Sequence, residues 1–194
     1  MSQERAYAGI GSRETPQNIL DTFKWFGGHF GLTGGMPSSS VIRLYSGGAL
    51  GADMAFETGC RSVDGPMRIF LPWKGFGAKW GRVPHPADHH QPSADAMLMV
   101  KDLIRKHGDF SAAAPEWMLK LIARNMHQIL GETLDTPVEC VFCWTKGGQD
   151  VGGTRWAIRA ARKHGIPVWN FGALTQDQRA KILKMNRALS LDTA

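Results

Sequence analysis

The stretch SGGALGADMAFETG, residues 46–59, decides the fold of this chain. It follows the β-branched apolar run SVIRLY, residues 40–45, and behind its glycines the apolar residues recur at helical spacing. This pattern predicts a strand that leads into a helix over about 50–61 through a loop with little side-chain bulk. Such a loop is typical of an anion site, because glycine lets a ligand approach and the first N–H groups of the helix are unpaired. The alternative is a tight turn that binds nothing.

Two carboxylates, Asp53 and Glu57, lie four residues apart in this predicted helix. Both are expected beside the narrow apolar face that packs on the sheet. A carboxylate next to a phosphate is unfavourable unless it contacts another group, and ribose hydroxyls are the obvious partners. We therefore predict that Asp53 holds a ribose and that Glu57 acts as general base or stabilises a developing oxocarbenium charge. The alternative is that Asp53 only stabilises the first helical turn and that Glu57 is a solvated surface residue.

The opening segment repeats this design. Residues 5–10 are predicted to form a short strand, and the turn GSRETP over residues 11–16 follows it. Thr15 and Pro16 are predicted to be the N-cap and the first position of a helix. The loop therefore lies at the carboxyl end of a strand, where doubly wound sheets bind ligands, and we expect Arg13 to reach a phosphate there.

A third unit of this kind comes late in the chain. Residues 138–144 have the composition of a buried strand, and the glycine-rich loop 145–154 leads from it into a helix. Two helix starts that point into one crevice suit a phosphorylated ligand. Together with Asp53, the predicted ligand contacts of the three units are Gly9, Gly11, Ser12, Arg13, Ser46, Gly47, Gly48, Gly51, Trp144, Gly152, Gly153 and Thr154.

The motifs of the chain together resemble those of SLOG-type Rossmann proteins. They are YAGIGSRETP, LYSGGALGADMAFETG, IFLPWKGF, ARNMHQILG and the tail DTPVECVFCWT…GGTRWAIRAARKHGIPVWN. Within that superfamily the chain is similar to the DNA-processing A (DprA)-like proteins that tailed phages and prophages often encode. The resemblance spans nearly the whole chain, from Tyr7 to Asn170. It implies a nucleotide-binding crevice, and the superfamily includes nucleotide-derivative sensors, single-stranded-DNA-binding recombination mediators and phosphoribohydrolases.

One departure from these relatives bears on activity. The phosphoribohydrolases carry a glutamate three residues after the threonine that corresponds to Thr154, and Ala157 stands there in this chain. Hydrolysis would therefore depend on Asp53 or Glu57. The leading hypothesis is a protein that binds a nucleotide or nucleotide derivative and cleaves its N-glycosidic bond.

The alternative hypothesis is a non-enzymatic single-stranded-DNA-binding protein that takes part in DNA processing or recombination. The formal net charge of +6 supports it. A basic outer face is also predicted on the helix after the third loop, where a solvated face is the other interpretation. The residues of this face are Arg155, Arg159, Arg162 and Lys163.

The predicted fold is α/β, a single Rossmann-like domain over residues 1–194. Its open, mostly parallel, five-stranded sheet has helices on both faces, and the crevice lies at the carboxyl ends of the first, second and fourth strands. A loop-rich insert at about 73–92, rich in glycine, aromatic residues and lysine, is expected to close over the ligand while it stacks on a base or, in the DNA hypothesis, on an exposed strand. The alternative is a packed loop that binds nothing. Two helices follow at about 93–106 and 115–130, and Arg124 in the second is a candidate phosphate clamp. Its neighbours Asn125 and His127 are also candidates for the crevice.

Composition limits the remaining possibilities. No apolar run approaches the ~20 residues that span a membrane, and the N-terminus lacks a signal-peptide pattern, so we expect a cytoplasmic protein without a membrane partner. Cys140 and Cys143 would point to opposite faces of one strand, which disfavours a shared metal. The histidines of HPADHH, residues 85–90, come without a recognisable ligand pattern. We therefore predict no metal and no cofactor, and a homo-oligomer remains open.

Overall fold

The computed structural model describes residues 5–33, 42–90, 92–107 and 114–191. The strands in these residues are β1 (Ala6–Gly9), β2 (Arg43–Ser46), β3 (Met67–Leu71), β4 (Asp88–His90), β5 (Val141–Cys143) and β6 (Val168–Asn170). The α-helices are α1 (Gln17–Thr33), α2 (Ala52–Arg61), α3 (Ala94–His107), α4 (Glu116–Leu130), α5 (Thr154–Lys163) and α6 (Gln176–Leu191). This architecture is the predicted α/β fold with a Rossmann-like parallel sheet.

The sheet has the strand order β4-β3-β2-β1-β5-β6, and every strand pair in it is parallel. The chain runs outward from β1 through β2, β3 and β4, and then returns to place β5 on the other side of β1. In register, Ala8 pairs with Tyr45 of β2 and with Val141 of β5. The strand order therefore reverses between β1 and β5, and at such a switch point a doubly wound sheet opens a crevice.

Helices cover both faces of the sheet because successive strand residues point to opposite sides. Along β1, Ala6 and Ala8 pack with α3, α4 and α5, whereas Tyr7 packs with the phenylalanines of α1 and α2. Both faces of β1 are consequently buried, as expected for a central parallel strand. Among the described residues, no helix has the combination of length and apolar character that crossing a bilayer requires.

The sheet contains one strand more than the five predicted. The additional strand, β4, lies within the predicted insert 73–92 and pairs with the outer edge of β3, with Phe70 opposite His89. Its three residues, Asp-His-His, carry neither the β-branched content nor the apolar alternation from which strands are predicted. Pairing with β3 therefore creates a strand that local propensity does not indicate.

The first helix begins one residue later than predicted. Leu20 N–H donates to the Pro16 carbonyl at 3.0 Å, so α1 starts at Gln17. The Thr15 hydroxyl donates to the Ser12 carbonyl at 2.7 Å and thereby closes the turn instead of capping the helix. Residues 34–41, which include the start of the predicted second strand, lie outside the described part of the chain.

Candidate functional site

A cavity of about 570 Å³ opens at the switch point of the sheet. Its walls are the loop after β1, the loop after β5 with the start of α5, and the inner face of α4. Ser12 N–H donates to the Trp144 carbonyl at 3.3 Å, so the two loops are joined directly. We call this cavity the crevice. Of the predicted ligand contacts, those that line it are Gly11, Ser12, Arg13, Asp53, Trp144, Gly152, Gly153 and Thr154.

The crevice has an anion-binding character at the start of α5. Gly152 adopts φ +63°, and an added Cβ at Gly152 or Gly153 would meet nothing within 4 Å. No side chain caps the start of this helix at Gly153, and the positive end of the helix dipole there favours an anion. Arg13 and Lys146, from the loops after β1 and β5, add exposed positive charges to the crevice lining.

Asp53 joins the loops after β1 and β2 to helix α4. Its carboxylate accepts the N–H groups of Gly11 at 3.2 Å and Ala49 at 3.4 Å, and Arg124 Nη1 lies 3.4 Å from Oδ2. Burial raises the pKa of Asp53, while the Arg124 guanidinium and the backbone donors oppose that rise. Asp53 therefore fixes the loops after β1 and β2 against α4 and also forms part of the crevice lining.

Glu57 lies outside the crevice lining, one helical turn further along α2. Its Oε1 accepts a hydrogen bond from Ser46 Oγ at 2.8 Å and another from Gly48 N–H at 2.9 Å. Burial raises its pKa to about 7, although the Ser46 hydrogen bond acts in the opposite direction. Glu57 is buried, so it is not the solvated surface residue of the alternative prediction. The Glu57 carboxyl organises the glycine-rich loop and is not placed to act as a base in the crevice.

The glycines of that loop also lie behind the crevice lining. A side chain at Gly47 would overlap Arg124, whose Nη1 donates to the Gly47 carbonyl. Gly48 adopts φ +67°, and its Cβ would lie 2.7 Å from Leu71 and 2.8 Å from Arg82. Glycine at both positions therefore allows other parts of the protein to pack closely against the loop. From the sequence, glycine is expected there for another reason, the close approach of a phosphate.

The remaining predicted contacts have similar positions. A Cβ on Gly9 would come within 2.5 Å of Phe56, and one on Gly51, at φ +87°, within 2.5 Å of the Ser12 carbonyl. Ser46 is fully buried, and its hydroxyl donates a hydrogen bond to the Glu57 carboxyl. Gly9, Ser46 and Gly51, like Gly47 and Gly48, are absent from the crevice lining.

Helix α4 supplies a polar floor that the sequence reveals only in part. Arg124, Asn125 and Gln128 line the crevice, and Asn125 Nδ2 donates to the Gly153 carbonyl at 3.1 Å. Gln128 was not predicted, but its spacing of four residues from Arg124 places both on one helix face. His127 lies elsewhere, since its Nε2 is 3.1 Å from Ser93 N–H and its ring stacks on Phe70.

Several other lining residues were not predicted as ligand contacts, among them Phe76, Lys146 and the exposed Glu14. Phe76 comes from the segment after β3, and the Arg124 guanidinium lies 5.8 Å from its ring centre. Lys146 follows β5 and is exposed. Glycine-rich spacing does not single out either residue, but the position of Lys146 directly after a strand at the switch point is a usable signal.

The basic face of α5 has its own partners. Arg162 Nη1 bonds to Asp150 Oδ2 at 2.7 Å, and the guanidinium groups of Arg155 and Arg159 lie 5.0 and 5.1 Å from the Trp156 ring centre. These arginines are absent from the crevice lining.

No group of three potential metal-ligating side chains occurs among the described residues. Cys140 and Cys143 are free thiols, and burial raises the pKa of each to about 12. His85 Nδ1 accepts the N–H of Ala87 at 3.0 Å and so stabilises the turn before β4.

Comparisons with known proteins identify the fold. No protein-family model matches the chain, and no curated protein sequence matches it. Its structure is similar to the X-ray structure of DNA processing protein A (DprA) from Streptococcus pneumoniae, with a TM-score of 0.51 and 16% sequence identity. The match covers 94% of this chain and 56% of that protein, so the chain spans about half the length of its structural neighbour. The chain therefore has a DprA-like Rossmann fold.

Proposed function

We propose that this protein binds single-stranded DNA as a DprA-like protein and that the crevice holds one nucleotide unit of the strand. The observation that carries this proposal is the crevice at the switch point of a DprA-like sheet, where three cationic side chains, Arg13, Arg124 and Lys146, outnumber the carboxylates of Glu14 and Asp53. Arg13 and Lys146 are exposed in its lining, Arg124 is buried at its floor, and α5 begins there without a side-chain cap. Such donors match the phosphodiester of a nucleic acid.

The arrangement of carboxylates favours binding over cleavage of an N-glycosidic bond. Ala157 lines the crevice at the position where the resembling hydrolases carry glutamate, and Glu57 is engaged behind the crevice. Asp53 does line the crevice, but it already accepts two backbone N–H groups and faces Arg124. A general base must be free to take up the proton that it removes, and the contacts of Asp53 instead commit its carboxylate to the backbone donors and to Arg124.

A free nucleotide or nucleotide derivative is the second candidate ligand. The crevice volume of about 570 Å³ falls within the usual range for small-molecule sites. In this case Asp53 would bind the ribose hydroxyls, as the sequence analysis expects, and base release would be the activity to look for.

Competition binding tests these two proposals. We expect the wild-type protein to bind a labelled single-stranded oligonucleotide, and unlabelled single strands to compete better than duplexes or nucleoside monophosphates. Lys146→Ala is expected to weaken this binding about tenfold, because a charge-assisted phosphate contact is lost. Lys101→Ala, an exposed lysine on α3 outside the crevice lining, is the matched control and should bind as the wild type does.

The same assay distinguishes the second candidate. Tight binding of a nucleoside monophosphate without binding of any oligonucleotide would contradict the DNA proposal. Release of free base from a nucleotide panel, followed by chromatography, would then establish the glycosidase alternative. Single-strand binding without base release would exclude it.

A further inference from the structure

Beside the crevice, residues 73–83 between β3 and β4 form a second surface, which we call the aromatic platform. We propose that it extends the DNA site: a neighbouring base stacks on Trp73, while Lys74 and Lys79 neutralise the adjoining phosphates. This inference rests on the proposed single-strand binding and adds the path by which the strand leaves the crevice.

Ring contacts connect the platform to the crevice. Phe76 lines the crevice beneath Arg124, with the guanidinium 5.8 Å from its ring centre. The rings of Trp73 and Trp80 each meet Phe76 edge to face, with centroid distances of 5.3 Å. Trp73 is the outer member of this cluster, with 38% of its surface exposed. A strand that leaves the crevice over Phe76 therefore reaches an accessible aromatic ring next.

The charge of the platform complements a polyanion. Lys74 and Lys79 are exposed, and Lys79 Nζ lies 5.8 Å from the Trp80 ring centre. The sequence contains no aspartate or glutamate from residue 73 to residue 87. The next acidic residue, Asp88, forms a buried two-bond ion pair with Arg82, at 2.8 and 2.6 Å. The exposed charges of this segment are therefore positive, and the segment itself supplies no acidic side chain to neutralise them.

The internal contacts of the segment hold the platform in place. The Arg82–Asp88 pair anchors the segment to β4, and Arg82 N–H also donates to the Gly77 carbonyl at 3.1 Å. Gly77 and Gly81, at φ +89° and +80°, flank the short helical turn that carries Lys79. A ring that is already positioned loses little conformational entropy when a base stacks on it.

An exposed ring next to lysines indicates an unpaired strand. Stacking on Trp73 needs the face of a base, and a duplex keeps its base faces covered by their neighbours. Single-strand-binding proteins combine this same pair of features, an aromatic side chain for the base and a cationic surface for the backbone. We therefore assign the platform to single-stranded DNA.

Oligonucleotide length provides the test. Trp73→Ala should weaken binding of a strand of about 16 nucleotides by roughly 5- to 100-fold, and leave binding of a nucleoside monophosphate, which has no neighbouring base, close to the wild-type value. Trp73→Phe should restore most of the affinity. Trp25→Ala is the matched control, because Trp25 is 37% exposed on α1 and lies outside the crevice lining.

A charge variant tests the same surface without altering its aromatic packing. Lys74→Ala should lower the slope of log affinity against log salt by about 0.7, the value expected for one lost phosphate contact on a single strand. Unchanged affinity and slope in both Trp73→Ala and Lys74→Ala, with Lys146→Ala still impaired, would overturn the platform and leave the crevice proposal intact. Failure of the wild-type protein to bind any single strand would overturn both.

Discussion

At the residue scale, the buried carboxyl of Glu57 makes the stability of the protein depend on pH. Its pKa is raised from 4.5 to about 7, chiefly by burial, so the folded protein holds this proton more tightly than the unfolded chain does. Stability from this group is fully present below about pH 4.5 and is lost as the pH rises through about 7. The shift corresponds to on the order of 3 kcal/mol.

Glu57→Gln isolates this effect. Glutamine retains an oxygen that accepts from Ser46 Oγ and Gly48 N–H, but it has no proton to lose in this pH range. We expect the free energy of unfolding of the variant, relative to wild type, to rise by about 2–3 kcal/mol between pH 5 and pH 8. Urea unfolding at both pH values measures this difference, and titrating groups that do not interact with Glu57 cancel in the comparison. An identical pH dependence in both proteins would show that Glu57 does not titrate in this range.

A glycine motif by itself does not show why a position requires glycine. Gly47 and Gly48 stand out in the sequence, and both positions require glycine, but the space that a Cβ would fill is occupied by Arg124, Leu71 and Arg82. A positive φ or a close approach has the same sequence signature whether a ligand or another part of the protein causes it. Only the three-dimensional neighbours distinguish the two cases. Gly48→Val should accordingly destabilise the protein and cannot serve as a binding variant.

At the scale of elements, α1 and α2 approach each other so closely that backbone meets backbone. A Cβ on Gly27 of α1 would overlap the Phe56 carbonyl, whereas one on the adjacent Gly28 would lie 3.4 Å from the Gly59 carbonyl, an ordinary contact. The two glycines thus have the same secondary structure but different surroundings. Their sequence gives no indication of which one makes the contact.

These two positions give a matched prediction for the helix pair. Gly27→Ala should lower the free energy of unfolding by about 1–3 kcal/mol, because the added methyl group overpacks the contact. Gly28→Ala should raise it by up to about 1 kcal/mol, since alanine has the higher helix propensity. Urea denaturation at constant pH measures both values. Equal effects of the two substitutions would contradict the close approach of the helices at Gly27.

Sequence patterns predict the elements of this protein unevenly. The phenylalanines of α1 recur at helical spacing, and Phe23, Phe26 and Phe30 are buried as that spacing predicts. Strand β4 has no such pattern, because its structure depends on pairing with the edge of β3. Periodicity therefore reveals elements that bury a regular face, but not an edge strand of polar residues.

At the scale of the whole molecule, the strand order explains which predicted contacts reach the crevice. The sequence shows three loops of one design, after β1, β2 and β5, but not the order of their strands. In the sheet, β1 lies between β2 and β5, and the switch point falls between β1 and β5. The loop after β2 is therefore one strand away, and only Ala49 from that loop joins the crevice lining. The strand order depends on contacts between distant parts of the chain. The local sequence of each loop therefore does not show which of the three loops line the crevice.

The distribution of charge over the whole molecule provides the final prediction. The net charge of +6 alone does not identify the face that meets DNA, since the described residues place basic side chains at the crevice, on the aromatic platform and on the outer side of α5. On α5, Arg162 is already paired with Asp150, whereas Arg13 and Lys146 are exposed in the crevice lining. We therefore expect the crevice and the adjoining aromatic platform, and not α5, to account for the salt dependence of binding.

Salt titrations of two double variants measure each contribution. Arg13→Ala with Lys146→Ala should lower the slope of log affinity against log salt by about 1.4, since each phosphate contact on a single strand contributes roughly 0.7. Arg162→Ala with Lys163→Ala removes the same formal charge from the α5 face and should leave the slope at its wild-type value. The equal change in net charge makes each variant the control for the other. A larger loss of slope in the α5 variant would show that DNA binds across α5, because release of counterions reports the positions at which phosphates are neutralised.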